Sequence, residues 1–405
     1  MNLNLISSSK YGDSYLSDPK PELMYINTIQ INNKTNIIKE AYHRVFYSVS
    51  GEVSTALQQW FLDGIRERLQ DTGYQFHPSG DAQVRLVINV VNPSAPRPYR
   101  RKAQATYVVT VVETDKILNN VLKNAYPILI RSLSNLLIYI VNKPNGLNAY
   151  FVTLEQGYYT VPHEIGQDDK FFDAVYQRLK PLALSNLIID NEFHPDLPEE
   201  LWNGDEVTEQ LRRSAKKIDD MNLFPAPFPI QELLPPEDFR HVQRLYGIGG
   251  LSYGNLSGRK DHHRFWMSAS GVKKGNLEKV GQDMLLVKQF DPDRKTMQLS
   301  VPPEVPARRV SVDAIEHWMI YTEHPNVGAI VHIHAWMDGI PSTEVNYPCG
   351  TVELARTVAA LIRKQPEPSR AVIGLRNHGL TITGINLDDI FERIEGRIIP
   401  QVPMK

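Results

Sequence analysis

Two histidines one residue apart inside an apolar run, Val331-His332-Ile333-His334-Ala335, constrain this chain more than any other feature. The run is too short and too rich in β-branched residues for a helix and reads as a strand, residues 329–334. Residues two apart in a strand project from the same face, so both imidazoles lie side by side. A polar pair on an otherwise apolar strand needs partners on that face, and two imidazoles at this spacing can share one cation. His378 stands in Asn377-His378-Gly379, a turn between two apolar runs, and is the candidate for a third nitrogen ligand; two unrelated histidines are the alternative that the spacing alone leaves open. Three protein ligands with an open position are typical of a catalytic zinc site. Imidazole-only ligation also suits other divalent transition metals. His317 and His324 read as helix-surface or helix-end residues, and His262-His263 as turn residues.

The length of 405 residues suggests two domains. Residues 1–45 show little periodicity and read as a loosely ordered leader. Helical spacing follows over 53–69, strands over 84–91 and 105–112, a helix over 118–133, strands over 136–141 and 150–154, and a helix over 171–182. This predicts an α+β domain over 46–185. Its loop block Arg97-Pro98-Tyr99-Arg100-Arg101-Lys102 reads as solvated, with phosphate contact as the alternative. Residues 186–234 read as a connector: a charged amphipathic helix over 206–221, then the proline-broken Phe224-Pro225-Ala226-Pro227-Phe228-Pro229. The second domain spans 235–405. Pro235-Pro236-Glu237-Asp238 opens its first helix, and Gly247, Gly249 and Gly250 end it. Further helices are expected over 312–323, 352–364 and 387–394, and strands over 265–268, 284–289, 371–375 and 381–383.

Charge and apolar content exclude several classes. The formal net charge is −2, so no global field draws the chain to nucleic acid or to an anionic membrane. The most apolar stretch, 121–141, contains Lys123, Asn124, Arg131 and Asn135, and reads as a helix followed by a strand rather than a bilayer span. Residues 1–10 lack the apolar core of a signal peptide. The one cysteine, Cys349, excludes a disulfide within the chain and reads as a small buried hydrophobe. A cytoplasmic protein is expected, with neither nucleic acid nor membrane as partner.

Residues 235–396 carry six motifs that together resemble the class II aldolase/adducin family. They are Gly254-Asn255-Leu256-Ser257-Gly258-Arg259, Ser268-Ala269-Ser270-Gly271, Ser311-Val312-Asp313, His332-Ile333-His334, the stretch from Tyr347 to Leu354, and Asn377-His378-Gly379. The resemblance implies an α/β three-layer sandwich holding a divalent cation on His332, His334 and His378. It implies a phosphate site at Gly254, Asn255, Ser270, Gly271 and Ser311, built of backbone N–H groups and hydroxyls, and it makes Asp313 the acid/base or a fourth ligand. Asp313 also stands where an N-cap would. The implied activity is a metal-dependent lyase forming an enediolate from a small, phosphorylated hydroxy-carbonyl compound, in a homo-oligomer. A pentulose-phosphate 4-epimerase and a non-catalytic adducin-like scaffold are the alternatives. The sequence departs from the family pattern in three places. Val312 replaces a second serine. A second acid after the histidine pair has only Asp338 and Glu344 as candidates. Residues 400–405 lack the tyrosine that the family carries in its tail, so the first domain is one place from which that group could come.

Overall fold

The computed structural model describes residues 45–404 except 79–83, 104–105, 117, 144–145, 225–229 and 247–252. The leader through residue 44, the prolines of 225–229 and the three glycines expected to end a helix lie outside the described residues. The chain divides into Met1–His43 and one compact unit, Arg44–Lys405, which contains two sheets.

The first sheet opens with β1 (Phe46–Gly51), α1 (Ala56–Asp71) and β2 (Gln75–Phe76). Thr55 starts α1 by accepting a hydrogen bond from the Gln58 backbone. β3 (Val84–Val90), β4 (Tyr107–Thr114), α2 (Val121–Arg131), β5 (Leu136–Lys143), β6 (Gly146–Thr153), β7 (Gly157–His163) and α3 (Asp168–Leu184) follow. The strand order is β2-β1-β3-β4-β5-β6-β7, parallel from β2 to β5 and antiparallel from there. The α+β expectation is therefore corrected to α/β. β3, β4 and β5 are near-continuous apolar runs because both of their faces are covered. Phe61, Leu62 and Ile65 of α1 and Phe172 and Val175 of α3 pack on one face, and Leu122, Tyr126 and Leu129 of α2 on the other.

The second sheet draws on β8 (Asp190–His194), α4 (Glu206–Asp220), α5 (Ile230–Leu233), α6 (Pro236–Tyr246), β9 (Asn255–Arg259), β10 (Phe265–Ser268), β11 (Met284–Asp291) and β12 (Thr296–Ser300). It is completed by α7 (Ala314–Glu323), β13 (Ala329–Ile333), α8 (Val352–Arg363), β14 (Val372–Leu375), β15 (Gly379–Gly384) and α9 (Leu387–Ile394). Its order is β14-β15-β13-β9-β10-β11-β12-β8, antiparallel except for the β12–β8 pair. Helices cover both faces. Ser257 of β9 hydrogen-bonds His317 and Tyr321 of α7, whereas a Cβ on the next residue, Gly258, would strike Val207 of α4. The three layers match the expected sandwich. β9, not expected as a strand from the sequence, has small glycine and serine side chains because helices press on both faces.

The segment read as a connector is folded into these layers. β8 extends the second sheet, and Leu211, Ala215 and Ile218 of α4 enter that sheet's core. Ile230 of α5 and Val242 of α6 enter the core of the first sheet beside α2, where Arg131 pairs with Asp238 at 2.9 Å and with Glu237 at 2.8 Å. The two sheets also meet where Asn186 donates backbone and side-chain hydrogen bonds, each 2.8 Å, to the Glu353 carboxylate. Among the described residues, no helix is long and apolar enough to cross a membrane.

Candidate metal centre

β13, the turn before β15 and the start of α7 bring the sequence-assigned residues together. His332 pairs with Asn255 of β9 on one side and with Thr381 of β15 on the other. His334 follows two residues later on the same face, and His378 enters from the turn before β15. The three ring centroids stand 4.7–5.1 Å apart, and all three side chains are buried. One ring nitrogen from each lies within 4.8 Å of the other two.

Two close approaches shape this corner. Gly254 sits at φ +82°, where a Cβ would come within 2.5 Å of the His332 carbonyl oxygen. A Cβ on Gly379 would fall 2.3 Å from the Ile333 carbonyl oxygen. Glycine at both positions lets the neighbouring chain lie flat against the histidine strand.

The hydrogen bonds leave donor atoms bare. His332 Nδ1 lies 2.9 Å from the Leu380 carbonyl oxygen, so Nδ1 carries the proton and Nε2 keeps its lone pair. His332 Nε2, His334 Nδ1 and His378 Nδ1 are buried without a hydrogen-bond partner. Burial lowers the pKa of His332, which Asp313 partly opposes. It lowers those of His334 and His378 well below the ordinary range, with neighbouring imidazoles adding to the effect. All three are held neutral, the form that binds metal. Three orphaned, buried, neutral nitrogens fit a divalent cation, since unpaired polar atoms in a dry corner are otherwise costly.

Asp313 stands at the N-terminus of α7 but makes no capping hydrogen bond. Its Oδ2 instead accepts from Asn255 Nδ2 at 2.7 Å, and its buried Oδ1 has no partner. The capping alternative does not account for this side chain. Ser270 and Gly271 lie in the turn after β10, where the Ser270 backbone donates to the Arg309 carbonyl at 2.9 Å, and the Ser311 backbone donates to the Ser268 carbonyl at 3.3 Å. The hydroxyl-glycine turn and the serine–acid segment therefore lie side by side.

Several neighbours carried no local signal in the sequence. Lys274 is buried, its pKa pushed down to about 8 by burial against the opposing pull of Asp313, and its charge is felt at His332 and His334. Tyr253, next to the Gly254-Asn255 motif, stacks on His334 with centroids 5.3 Å apart. The backbone of Glu155, in the turn between β6 and β7 of the first sheet, lies near the His334 imidazole and works against the lowering of its pKa by burial. Burial and the Asp313 charge push the Glu155 carboxyl up to about 7. Asp338 and Glu344, the acids suggested by sequence, are exposed. Cys349 is only partly buried, and its Sγ lies 3.6 Å from His378 Nε2; burial and nearby carboxylates raise its pKa well above the usual value, so it is a thiol.

His317 is not a surface residue. It is fully buried, with Nδ1 2.7 Å from Ser257 Oγ. Its face of α7 meets a sheet layer of short polar side chains rather than solvent, and Thr381 Oγ1 donates to Glu316 Oε1 at 2.6 Å in the same layer.

Residues 239–338 match the family model of the class II aldolase and adducin N-terminal domain. The match includes His332, His334 and Asp313, and it bears out the resemblance carried by the motifs. Over 96 residues, 23% of this chain and 42% of the relative, the chain is 32% identical to methylthioribulose-1-phosphate dehydratase of Microcystis aeruginosa. Over 82 residues, 20% of this chain and 35% of the relative, it is 30% identical to the enzyme of the same name from Sodalis glossinidius. The chain thus spans less than half the length of either. YgbL of Klebsiella pneumoniae, a candidate aldolase/epimerase/decarboxylase of known structure, is similar at 18% identity and a TM-score of 0.29, over 47% of this chain and 84% of that one.

Proposed function

We propose that the protein is a metal-dependent lyase acting on a small, phosphorylated hydroxy-carbonyl compound. The observation that carries this reading is the set of three buried neutral imidazoles with unpartnered nitrogens beside the unpartnered Oδ1 of Asp313. A divalent cation held on His332, His334 and His378, with zinc the first choice, supplies Lewis acidity toward a carbonyl or hydroxyl oxygen. Asn255 orients the Asp313 carboxylate so that Oδ1 is the atom that takes a proton from substrate and returns it. Lys274 adds positive potential where negative charge develops. The burial of the centre excludes water from the reacting end.

The two dehydratase relatives favour loss of water over carbon–carbon cleavage within the lyase class. The 4-epimerase reading needs a second acid at the centre, and Glu155, whose backbone lies near His334, is the candidate. A scaffold has no use for three converging imidazoles.

Plasma mass spectrometry on the purified chain beside His332→Ala/His334→Ala tests the reading. About one divalent transition metal per chain in the wild type, lost in a folded variant, supports it. A wild type that holds none after incubation with zinc removes the lyase reading and leaves the scaffold in front.

A further inference from the structure

A cavity of about 660 Å³ lies between the two sheets and against the metal centre. Glu155, whose backbone lies near His334, and Cys349, whose Sγ lies 3.6 Å from His378 Nε2, both line it. This volume suits a small organic substrate. Its charged lining is one-sided. Among the described residues, Arg100, Arg101 and Lys102 reach it from the β3–β4 loop, Arg178 from α3 and Arg309 from the segment before α7, and Glu155 is the one carboxylate beside them.

Two of the basic groups have neighbours that orient them. Arg101 Nη2 donates to the Leu133 carbonyl at 2.9 Å and to Asn135 Oδ1 at 2.7 Å, which orients the guanidinium. Arg178 lies over the Tyr159 ring at 5.1 Å, and burial together with the nearby Arg376 cation lowers its pKa. Like charges crowded in a partly dry cavity favour an anion between them. Val312, in place of the family's second serine, is exposed into this same cavity, whereas Gly254, Ser270, Gly271 and Ser311 do not line it. The expected hydroxyl-based phosphate site is one hydroxyl short, whereas this cavity is lined by basic side chains.

We infer that the inter-sheet cavity is an anion subsite in which Arg100, Lys102, Arg178 and Arg309 hold the phosphate end of the substrate while its other end meets the metal centre. This rests on the lyase reading for the reacting end alone; phosphate binding by the basic wall does not need the metal. Arginine forks match phosphate oxygens, and five cations suit a dianion better than a single carboxylate. The first sheet thereby sets which substrates enter.

Calorimetric titration of inorganic phosphate into the full-length chain at low salt tests this, with acetate as the second probe. The wild type binds phosphate in preference to acetate, more weakly as salt rises. Arg100→Ala/Lys102→Ala, two exposed positions whose loss leaves the core intact, weakens binding about tenfold or more, and Arg309→Ala acts in the same direction. His332→Ala/His334→Ala binds phosphate as the wild type does. The inference falls if the wild type binds no phosphate, if the basic variants bind it unchanged, or if binding is lost instead in Ser270→Ala/Ser311→Ala or in the histidine variant. Phosphate held by the basic wall of a chain that takes up no metal keeps the subsite and removes only the lyase reading.

Discussion

The fully buried His317 makes a prediction that needs neither substrate nor metal. Burial, reinforced by His332, pushes its pKa down to about 3, against 6.5 for a free imidazole. Below pH 6.5 the unfolded chain takes up a proton here that the folded chain refuses until about pH 3. Unfolding therefore gains about 1.36 kcal/mol for each pH unit through this window, and above pH 6.5 the effect vanishes. Between pH 7 and pH 4.5 the loss of stability from this one group is about 2.7 kcal/mol. The test is His317→Asn, which can keep a hydrogen bond to Ser257 but does not titrate. Removing the ring costs stability by an amount that does not vary with pH, so the quantity to follow is the wild-type minus variant difference. Urea unfolding in chelator, followed by tryptophan fluorescence from pH 7 to 4.5, measures it. The wild type should lose its advantage steadily as the pH falls, because the other histidines and the carboxylates cancel in the difference. A difference constant within about 0.5 kcal/mol would refute the neutral buried imidazole and the polar layer built around it.

Two further predictions concern the same layer. Glu316, raised to about 8 by burial and by Asp313, is neutral in the folded chain at neutral pH. Its stabilising effect is complete below pH 4.5 and lost as the pH climbs to about 8. Glu316→Gln, which still accepts from Thr381, should gain on the wild type by on the order of 3 kcal/mol between pH 5 and pH 7.5 in the same unfolding assay. Equal pH profiles would count against it. Gly254→Ala forces a Cβ toward the His332 carbonyl at a positive φ; it should cost more than about 1 kcal/mol and reduce bound metal, read by thermal unfolding and metal analysis, and a variant with wild-type melting and metal content would contradict the close packing.

Legibility in the sequence followed the reach of the interactions. β3, β4 and β5 announced themselves because strands buried on both faces must be apolar throughout, and α8 because its apolar residues recur with helical period and Thr351 caps it. The parallel pairing of the first sheet was not legible, since which strand lies beside which depends on crossovers rather than on any strand's own pattern. β8, written Asp190-Asn191-Glu192-Phe193-His194, lies on the sheet edge, where one side is wet and polar residues are tolerated.

The metal centre shows the same division more sharply. His332 and His334 were readable because two ligands two apart on one strand are a local arrangement, and His378 because a turn between apolar runs marks it. Asp313 could be named only through the family motif; its release from capping depends on Asn255, 58 residues away in sequence. Glu155 carries no signal at all, being one acid in a hairpin turn, and it acquires meaning only when the first sheet folds against the second. The basic block at residues 100–102 is the intermediate case. Its composition admits an anion, but a solvated loop explains it better from the sequence alone; only the fold shows Arg178 and Arg309, far from it in sequence, lining the same cavity. A site assembled from two sheets is legible in sequence only on the side where one strand holds several of its ligands.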